Sequence, residues 1–153
     1  AQAIWLMLAQ ENGDIQAWGD PNQGFVGDIT GKRKGFAVYN KPLEQLMRQY
    51  MGERTVNLTG QPFEALLKSV AEGKPVVIWT TGDFAKPTEW ESWQKDGKKI
   101  VAPFDEHVVF LVGYDQSNVY VNDPLTGGQK RPVKRVAMKK SWEALGKQAL
   151  SYR

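Results

Sequence analysis

The sequence predicts an α+β domain, and three observations support this prediction. The chain has 153 residues, the size of one compact domain, and roughly two thirds of the unfolded surface of such a chain can be buried. Apolar residues make up 41% and charged residues 24%, which is a globular composition. Segments with helical periodicity alternate with short apolar runs that are typical of strands. We therefore expect one folded domain over residues 1–153.

The first half of the chain predicts two helices and a loop before the first strand. The opening "AQAIWLMLAQENG" has apolar residues on all sides, as a buried helix does, and Gly13 is a plausible end. The glycine-rich text from Asp14 to Tyr39 predicts ordered loops. A second helix follows in "NKPLEQLMRQYMG", with Asn40 as its cap and Gly52 at its end. Its inward stripe contains Leu43, Leu46, Met47 and Tyr50.

The next elements alternate between strand and helix. "TVNLTG" predicts a short strand, "TGQPFEALLKSVAEG" a helix that ends at Gly73, and "KPVVIWTT" a buried strand. The region from Gly82 to Glu106 predicts a long loop or a hairpin arm. Near the end of the chain, "MKKSWEALGKQ" predicts a helix and "ALSYR" a closing strand.

Six tryptophans divide into core and surface candidates. Trp79 lies in an apolar strand and Trp142 in a helix, and we expect core packing for both. Trp90 and Trp93 are the candidates for exposure, where indoles could line a binding groove.

Charge and composition argue against several classes of protein. The formal charge of +3 comes from scattered lysines with one denser stretch, "GGQKRPVKRVAMKK", at 127–140. Because this stretch has no interleaved aromatic residue before Trp142, we interpret it as a solvated basic edge rather than a nucleic-acid surface. No apolar run approaches the ~20 residues of a membrane span. The segment "AIWLMLA" is also too short for a signal peptide, and it lacks the basic residues that flank one.

Residue counts also limit the chemistry. The chain has no cysteine, which excludes disulfides, thiolate metal sites and a thiol nucleophile within these residues. A single histidine argues against an imidazole-based metal site. We expect neither a metal nor another cofactor.

The single histidine begins a predicted hairpin. His107–Tyr114 and Asn118–Asn122 are apolar, β-branched and aromatic, and "DQS" separates them. A tight turn about Gln116 brings His107 close to Asp123, since a diagonal cross-strand neighbour is only ~7–8 Å away. A carboxylate on one imidazole nitrogen leaves the other free to accept a proton from a nucleophile.

Structural roles explain the same residues without catalysis. A histidine at a strand end is often a satisfied polar group, and "NDPLTG" is ordinary turn chemistry, in which Asp123 binds its own backbone. A turn role is likewise favoured for Asn122. Thr80 and Thr81 end a strand and could border a cleft, but nothing places them before a helix as nucleophiles.

Six segments occur in an order that resembles one family. They are "WGDPNQGFVGDITG", "GFAVYNKPLEQL", "GKPVVIWTT", "EHVVFLVGYD", "VYVNDPLTG" and "WEALGKQALSY". The chain resembles the bacterial cysteine peptidases related to the bacteriocin-leader (double-glycine) peptidases. The resemblance implies a papain-like fold with a central antiparallel sheet packed against an amino-terminal helix and further helices. It implies a cysteine nucleophile at the start of the first helix, with His107 and Asp123 as its catalytic partners.

The nucleophile of this pattern has no match in the chain. The family's cysteine stands in a Gly-Cys segment that opens the first helix, and Ala1 stands about where it belongs. The family also has a longer stretch before "WGDPNQGF" than "QENGDIQA" provides. Three explanations remain open: residues omitted from the sequence, a truncation or cysteine-to-alanine change, or a natural loss of catalysis.

Two functions follow from the resemblance. The first is hydrolysis of a peptide or isopeptide bond in a peptide or protein substrate, with thiolate attack, His107 as base and acid, and Asp123 as the group that orients it. The second is a non-catalytic module that binds peptide or cell-wall polymer in the same cleft. The resemblance also suggests an extracellular or cell-envelope location.

Overall fold

The computed structural model describes residues 19–27 and 38–153 of the chain. The helix predicted for "AQAIWLMLAQENG" lies outside these residues, as does Ala1. Within them, three α-helices and eight β-strands confirm the α+β prediction. The helices are α1 (Asn40–Met51), α2 (Phe63–Ala71) and α3 (Arg135–Ala144). The strands are β1 (Thr55–Asn57), β2 (Val76–Thr81), β3 (Trp90–Lys95), β4 (Lys98–Pro103), β5 (Glu106–Tyr114), β6 (Asn118–Asp123), β7 (Gly128–Lys134) and β8 (Ala149–Tyr152).

Six strands form one antiparallel sheet in the order β1-β8-β2-β5-β6-β7. The strands β3 and β4 form a separate hairpin, so of the two alternatives expected for Gly82 to Glu106, the hairpin arm is the one observed. Because β5 begins where β2 and β6 end, the residues that start β5 share one end of the sheet with the last residues of β2 and β6. This end of the sheet contains His107.

Helices cover both faces of the sheet. On one face, α2 and α3 pack against alternate strand residues; this core includes Phe63, Trp142, Ile78, Val109, Leu111 and Val121. On the other face, Leu43 and Met47 of α1 pack near Trp79 and Leu150. The period of two along each strand therefore decides which helices a side chain meets.

Tertiary packing changes three of the sequence predictions. The basic stretch contains the edge strand β7, in which Pro132 is tolerated because an edge strand leaves one side of its backbone unpaired. The helix expected from Met138 begins at Arg135, one residue after that strand. Tyr50, predicted on the inward stripe of α1, is 74% exposed.

The hairpin of β3 and β4 has one buried and one open face. Trp93 was expected at the surface, but it is 2% exposed and packs with Ile100 and Ala102. Its indole Nε1 donates a hydrogen bond to the carbonyl of Gly19 at 2.8 Å. Trp90 remains 46% exposed, as predicted. Alternation along the strand explains why these two tryptophans differ.

Candidate active site

The turn between β5 and β6 is closed by an aspartate at its first position. The Asp115 carboxylate accepts the backbone amides of Ser117 and Asn118, both at 2.7 Å. Asp115 N in turn donates to the Asn118 carbonyl at 2.9 Å. These bonds fold the chain about the predicted point. The pKa of the Asp115 carboxyl is lowered, mainly by a hydrogen bond from the Tyr120 hydroxyl and then by those from the amides of Asn118 and Ser117. After this turn, β6 runs back to the end of the sheet that contains His107.

The structure brings His107 and Asp123 together at that end. His107 Nε2 and Asp123 Oδ1 are 2.8 Å apart, within hydrogen-bonding distance. His107 is paired with Thr80 of β2. The pairing of β5 with β6 has a register shift between Leu111 and Gly113, and the pairing of β6 with β7 has one between Val121 and Asp123. Two irregularities that the sequence did not predict therefore lie in the strands that carry the two side chains.

Asp123 is buried but well supplied with partners. Its side chain is 2% exposed, whereas that of His107 is 14% exposed. Besides the imidazole, Oδ1 accepts the amide of Leu125 at 3.0 Å, the Asx-turn that the sequence predicted. Burial alone would raise the pKa of this carboxyl. The hydrogen bonds from His107 and Leu125, the charge of His107 and the Thr126 hydroxyl outweigh burial and lower the pKa below its ordinary value.

Arg131 approaches the second oxygen of the same carboxylate. Its Nη1 lies 3.7 Å from Asp123 Oδ2, close enough for charge attraction but too far for a good hydrogen bond. The guanidinium carbon lies 4.8 Å from the centroid of the Phe84 ring, a cation–π distance. Phe84 is itself buried in the core. The sequence did not single out Arg131, because its contact depends on the position of β7 beside β6.

Three hydroxyl groups tie α3 to the strand next to His107. Ser141 Oγ lies 2.8 Å from Thr80 Oγ1 and 3.0 Å from Thr81 Oγ1, and it accepts the amide of Thr81 at 2.9 Å. Both threonines are fully buried. Their hydroxyls are therefore structural, in agreement with the interpretation favoured from sequence. Asn122 also has a turn role, since its Oδ1 accepts the amide of Lys130 at 2.9 Å.

Glu106 precedes the histidine and points to the opposite face of the sheet. Both of its carboxyl oxygens are buried without a hydrogen-bond partner among the described residues. Burial raises the pKa of Glu106 well above its ordinary value. Burial also raises the pKa of Tyr39, and the charges of Glu106 and Asp20 add to that increase. Nothing in the local sequence indicates this burial, because it results from tertiary packing.

An imidazole that is oriented by a carboxylate in this way is able to act as a general base. A proton on Nε2 that is donated to Asp123 leaves Nδ1 with a lone pair for a proton from a nucleophile. Among residues 19–27 and 38–153, no cluster of three or more candidate ligands could hold a metal ion. The same residues contain no helix that could span a membrane.

Comparisons with known proteins agree with this architecture. Residues 6–150 match the profile of the Peptidase_C39 like family. The chain is 36% identical over 132 residues to the uncharacterized protein YvpB of Bacillus subtilis (strain 168), covering 86% of this chain and 52% of YvpB. The chain thus spans about half the length of that relative.

A solved structure is similar in both sequence and fold. It is the crystal structure of a candidate C39-like peptidase from Bacillus anthracis, which is 41% identical to this chain. The TM-score is 0.84, over 88% of this chain and 69% of that one. These comparisons confirm the predicted resemblance and the papain-like fold. The catalytic role of His107 and Asp123 stays a prediction.

Proposed function

Since the chain belongs to the Peptidase_C39 like family, we propose that it is a papain-like cysteine peptidase domain that hydrolyses a peptide or isopeptide bond. The contact of 2.8 Å between His107 Nε2 and Asp123 Oδ1 is the main support for this proposal. The mechanism requires a cysteine thiol, which these 153 residues do not contain; the family resemblance puts that thiol at about Ala1.

His107 and Asp123 divide the acid–base work. Asp123 accepts the proton on Nε2 as a hydrogen bond and so fixes the tautomer. Nδ1 takes the proton of the thiol, and the resulting thiolate attacks the carbonyl carbon of the substrate. The imidazolium then donates its proton to the leaving amine as the C–N bond breaks and a thioester forms. In the second half, His107 takes a proton from water, whose oxygen displaces the thiolate.

The buried position of Asp123 suits this role. Hydrogen bonds from His107 and Leu125 hold its Oδ1, so the carboxylate cannot rotate freely. The negative charge stabilises the imidazolium that forms when the thiol is deprotonated. Because the pKa of Asp123 is lowered, the carboxylate is ionised at neutral pH.

The experiment restores a thiol and measures its activation. Two proteins are made, one with a Gly-Cys pair ahead of Ala1 and one with Ala1→Cys, and each is compared with its His107→Ala form. Rates of alkylation by iodoacetamide at pH 6 report the thiolate. We expect His107 to raise that rate about tenfold or more in at least one protein, because an adjacent imidazole lowers a thiol pKa by several units. That protein should also cleave a dye-labelled unfolded protein.

A result in which both thiols react like free cysteine, with or without His107, would contradict the peptidase proposal. The absence of cysteine from the chain favours a second function in that case, a non-catalytic module that binds peptide or cell-wall polymer. Sedimentation of the 153-residue chain with insoluble peptidoglycan, and titration with peptides, would test the second function directly.

A further inference from the structure

The basic stretch noted in the sequence forms one edge of the structure. Between Asp123 and Glu143 the chain contains six lysines and arginines and no acidic residue, which gives this segment a formal charge of +6. Because the whole chain carries +3, all of the other residues together carry −3. The positive charge is therefore concentrated in the β6–β7 turn, β7 and most of α3.

Most of these cations are not neutralised within the protein. Arg131 Nη1 lies 3.7 Å from Asp123 Oδ2. Lys139 Nζ lies 4.0 Å from Glu64 Oε1. The other four cations form no ion pair within residues 19–27 and 38–153; they are Lys130, Lys134, Arg135 and Lys140. Their charge is available to a partner outside the chain.

Strand β7 holds this charge at the outside of the sheet. It is last in the strand order, and among the described strands it pairs only with β6. Lys130 and Lys134 are exposed and about 13 Å apart, because each strand residue advances about 3.3 Å. Lysine and proline on an edge strand oppose pairing with a further strand, and Pro132 lacks a backbone N–H. A partner at this edge is therefore recognised by side chains.

An exposed aliphatic residue flanks β7 at each end. Leu125, in the turn before β7, is 79% exposed, and Val136, in the first turn of α3, is 67% exposed. In the part of the chain that the structure describes, no other leucine, valine, isoleucine or methionine is more than half exposed. The most exposed aliphatic side chains thus lie at the two ends of the basic strand.

This combination distinguishes among anionic partners. A soluble polyanion needs only cations, because its binding is largely electrostatic. Single-stranded nucleic acid also stacks on aromatic side chains, but the one aromatic residue of the segment, Trp142, is fully buried. An anionic bilayer has an apolar layer beneath its charged headgroups, and both basic and aliphatic side chains gain contacts there. Exposed aliphatic residues beside unpaired cations therefore favour the bilayer.

We propose that the β7 edge, residues 125–136, binds the surface of an anionic lipid bilayer. Its two exposed aliphatic side chains enter the boundary between headgroups and acyl chains, and its lysines and arginines contact the lipid phosphates. The contact is peripheral and reversible, since two short side chains bury little apolar area. The proposal goes beyond the proposed peptidase function and does not depend on it, because this contact needs neither a thiol nor His107.

The test measures co-sedimentation of the 153-residue chain with lipid vesicles. One set of vesicles is pure phosphatidylcholine, and about one third of the lipid in the other set is phosphatidylglycerol. We expect the anionic vesicles to bind at least about tenfold more tightly. Raising the salt concentration from about 0.05 M to about 0.5 M should remove most of this preference, because salt screens exposed charges.

A matched pair of double variants tests the position of the charge. Lys130→Gln/Lys134→Gln should weaken binding to the anionic vesicles about 25-fold, since each basic residue near such a surface strengthens binding about fivefold. Lys98→Gln/Lys99→Gln removes the same charge from two exposed positions on the β3–β4 hairpin. It should weaken binding by no more than about twofold.

The aliphatic residues separate a bilayer from a soluble polyanion. Leu125→Ser/Val136→Ser should weaken binding to anionic vesicles about tenfold or more and leave binding of inorganic polyphosphate unchanged. Tyr50→Ser, at a position that is 74% exposed on α1, is the apolar control and should change neither. Unchanged tryptophan fluorescence shows that each variant is folded, because the indoles of Trp79 and Trp142 are buried.

Two results would overturn the proposal outright: equal binding to the two sets of vesicles, or equal losses in the two lysine variants. A Leu125→Ser/Val136→Ser protein that binds anionic vesicles as tightly as the parent would also refute it. If polyphosphate in addition displaced the parent from vesicles, the partner of this edge would be a soluble polyanion instead.

Discussion

Asp123 and Glu106 carry two buried carboxyl groups at one end of the sheet, and they differ in whether hydrogen-bond partners surround them. The imidazole of His107 and the amide of Leu125 bind Asp123, whereas both oxygens of Glu106 are buried without a partner among the described residues. Burial favours the neutral acid in both. The pKa of Asp123 is nevertheless lowered, and that of Glu106 is raised. Partners, more than depth, decide which buried acid is a carboxylate.

The alternation of β5 produces this contrast. Successive residues of a strand face opposite sides of the sheet, so His107 points to the face with Asp123 while Glu106 points to the face of Tyr39. One position along the chain therefore separates His107, which has a hydrogen-bond partner, from Glu106, whose carboxyl has none in the part of the chain that the structure describes. This difference can be tested by removing each charge in turn.

The largest effect is expected from Asp123→Asn. Loss of the carboxylate leaves the Nε2 proton of His107 without its charged acceptor, so the tautomer is no longer fixed. In the protein with a restored thiol, we expect hydrolysis to fall by a factor on the order of 10²–10⁴. The ¹⁵N shifts of the single imidazole should change at the same time. Asp115→Asn, which alters the far end of the hairpin, is the control and should preserve both signals.

A smaller effect is expected from Glu106→Gln, which should increase the stability of the folded protein. The folded protein retains the Glu106 proton at pH values where the unfolded chain has released it. Stability is therefore full below the unfolded pKa of about 4.5 and falls as pH rises toward the folded pKa. Glutamine at position 106 cannot ionise, so the variant does not lose this stability as the pH rises. We expect a gain on the order of 1–3 kcal/mol in the free energy of unfolding at pH 8.

Urea unfolding at pH 4 and at pH 8 measures that gain. The difference between Glu106→Gln and the parent should vanish at pH 4, where both groups are neutral. Glu89→Gln, an exposed neighbour in the same part of the chain, should change stability little at either pH. A gain of equal size at both pH values would mean that packing, and not charge, distinguishes Glu106.

The smallest effect is expected from Arg131→Met. The folded pKa of Asp123 is below its ordinary 3.8, so its stabilising contribution is present above about pH 4 and is lost as pH falls through the folded pKa. Because Arg131 Nη1 lies 3.7 Å from Asp123 Oδ2, we expect the loss of this guanidinium to raise that pKa. Because Arg131 is 46% exposed and screened by water, the shift should be only about 0.2–0.7 pH unit.

The midpoint of acid unfolding, followed by tryptophan fluorescence, reports the shift. Arg131→Lys should retain most of the effect of the charge but not the flat contact with Phe84. Lys134→Met removes an exposed charge from the same strand and serves as the control. Equal midpoints for the Met variants at positions 131 and 134 would show that Arg131 does not act on Asp123 specifically.

Local patterns were sufficient for much of the fold. The apolar strand at Val76–Thr81, the hairpin that follows His107 and the closing strand lie where their composition predicts them. Each combines β-branched or aromatic residues with turn residues at its ends, and this signal does not depend on distant contacts. The proximity of His107 and Asp123 follows from the same local hairpin.

Features that depend on distant packing were not predictable. The edge strand β7 was not predicted, because a basic segment with a proline resembles a solvated loop until β6 provides it with hydrogen bonds. Trp93 and Glu106 are buried by elements far from them in sequence. The contact of Arg131 with Asp123 likewise requires the register between β6 and β7, which local composition does not specify.

The strand β8 has a consequence for how the protein is made. It lies inside the sheet, between β1 and β2, and the amide of Ala149 bonds to Thr59, 90 positions earlier. During synthesis β1 has no neighbour in the sheet until residues 149–152 have left the ribosome. Strand β1 therefore stays unpaired until β8 has been synthesised. Nascent chains stopped before Ala149 should be protease-sensitive along β1, and release of the next residues should protect this strand, whereas β2 is already paired with β5.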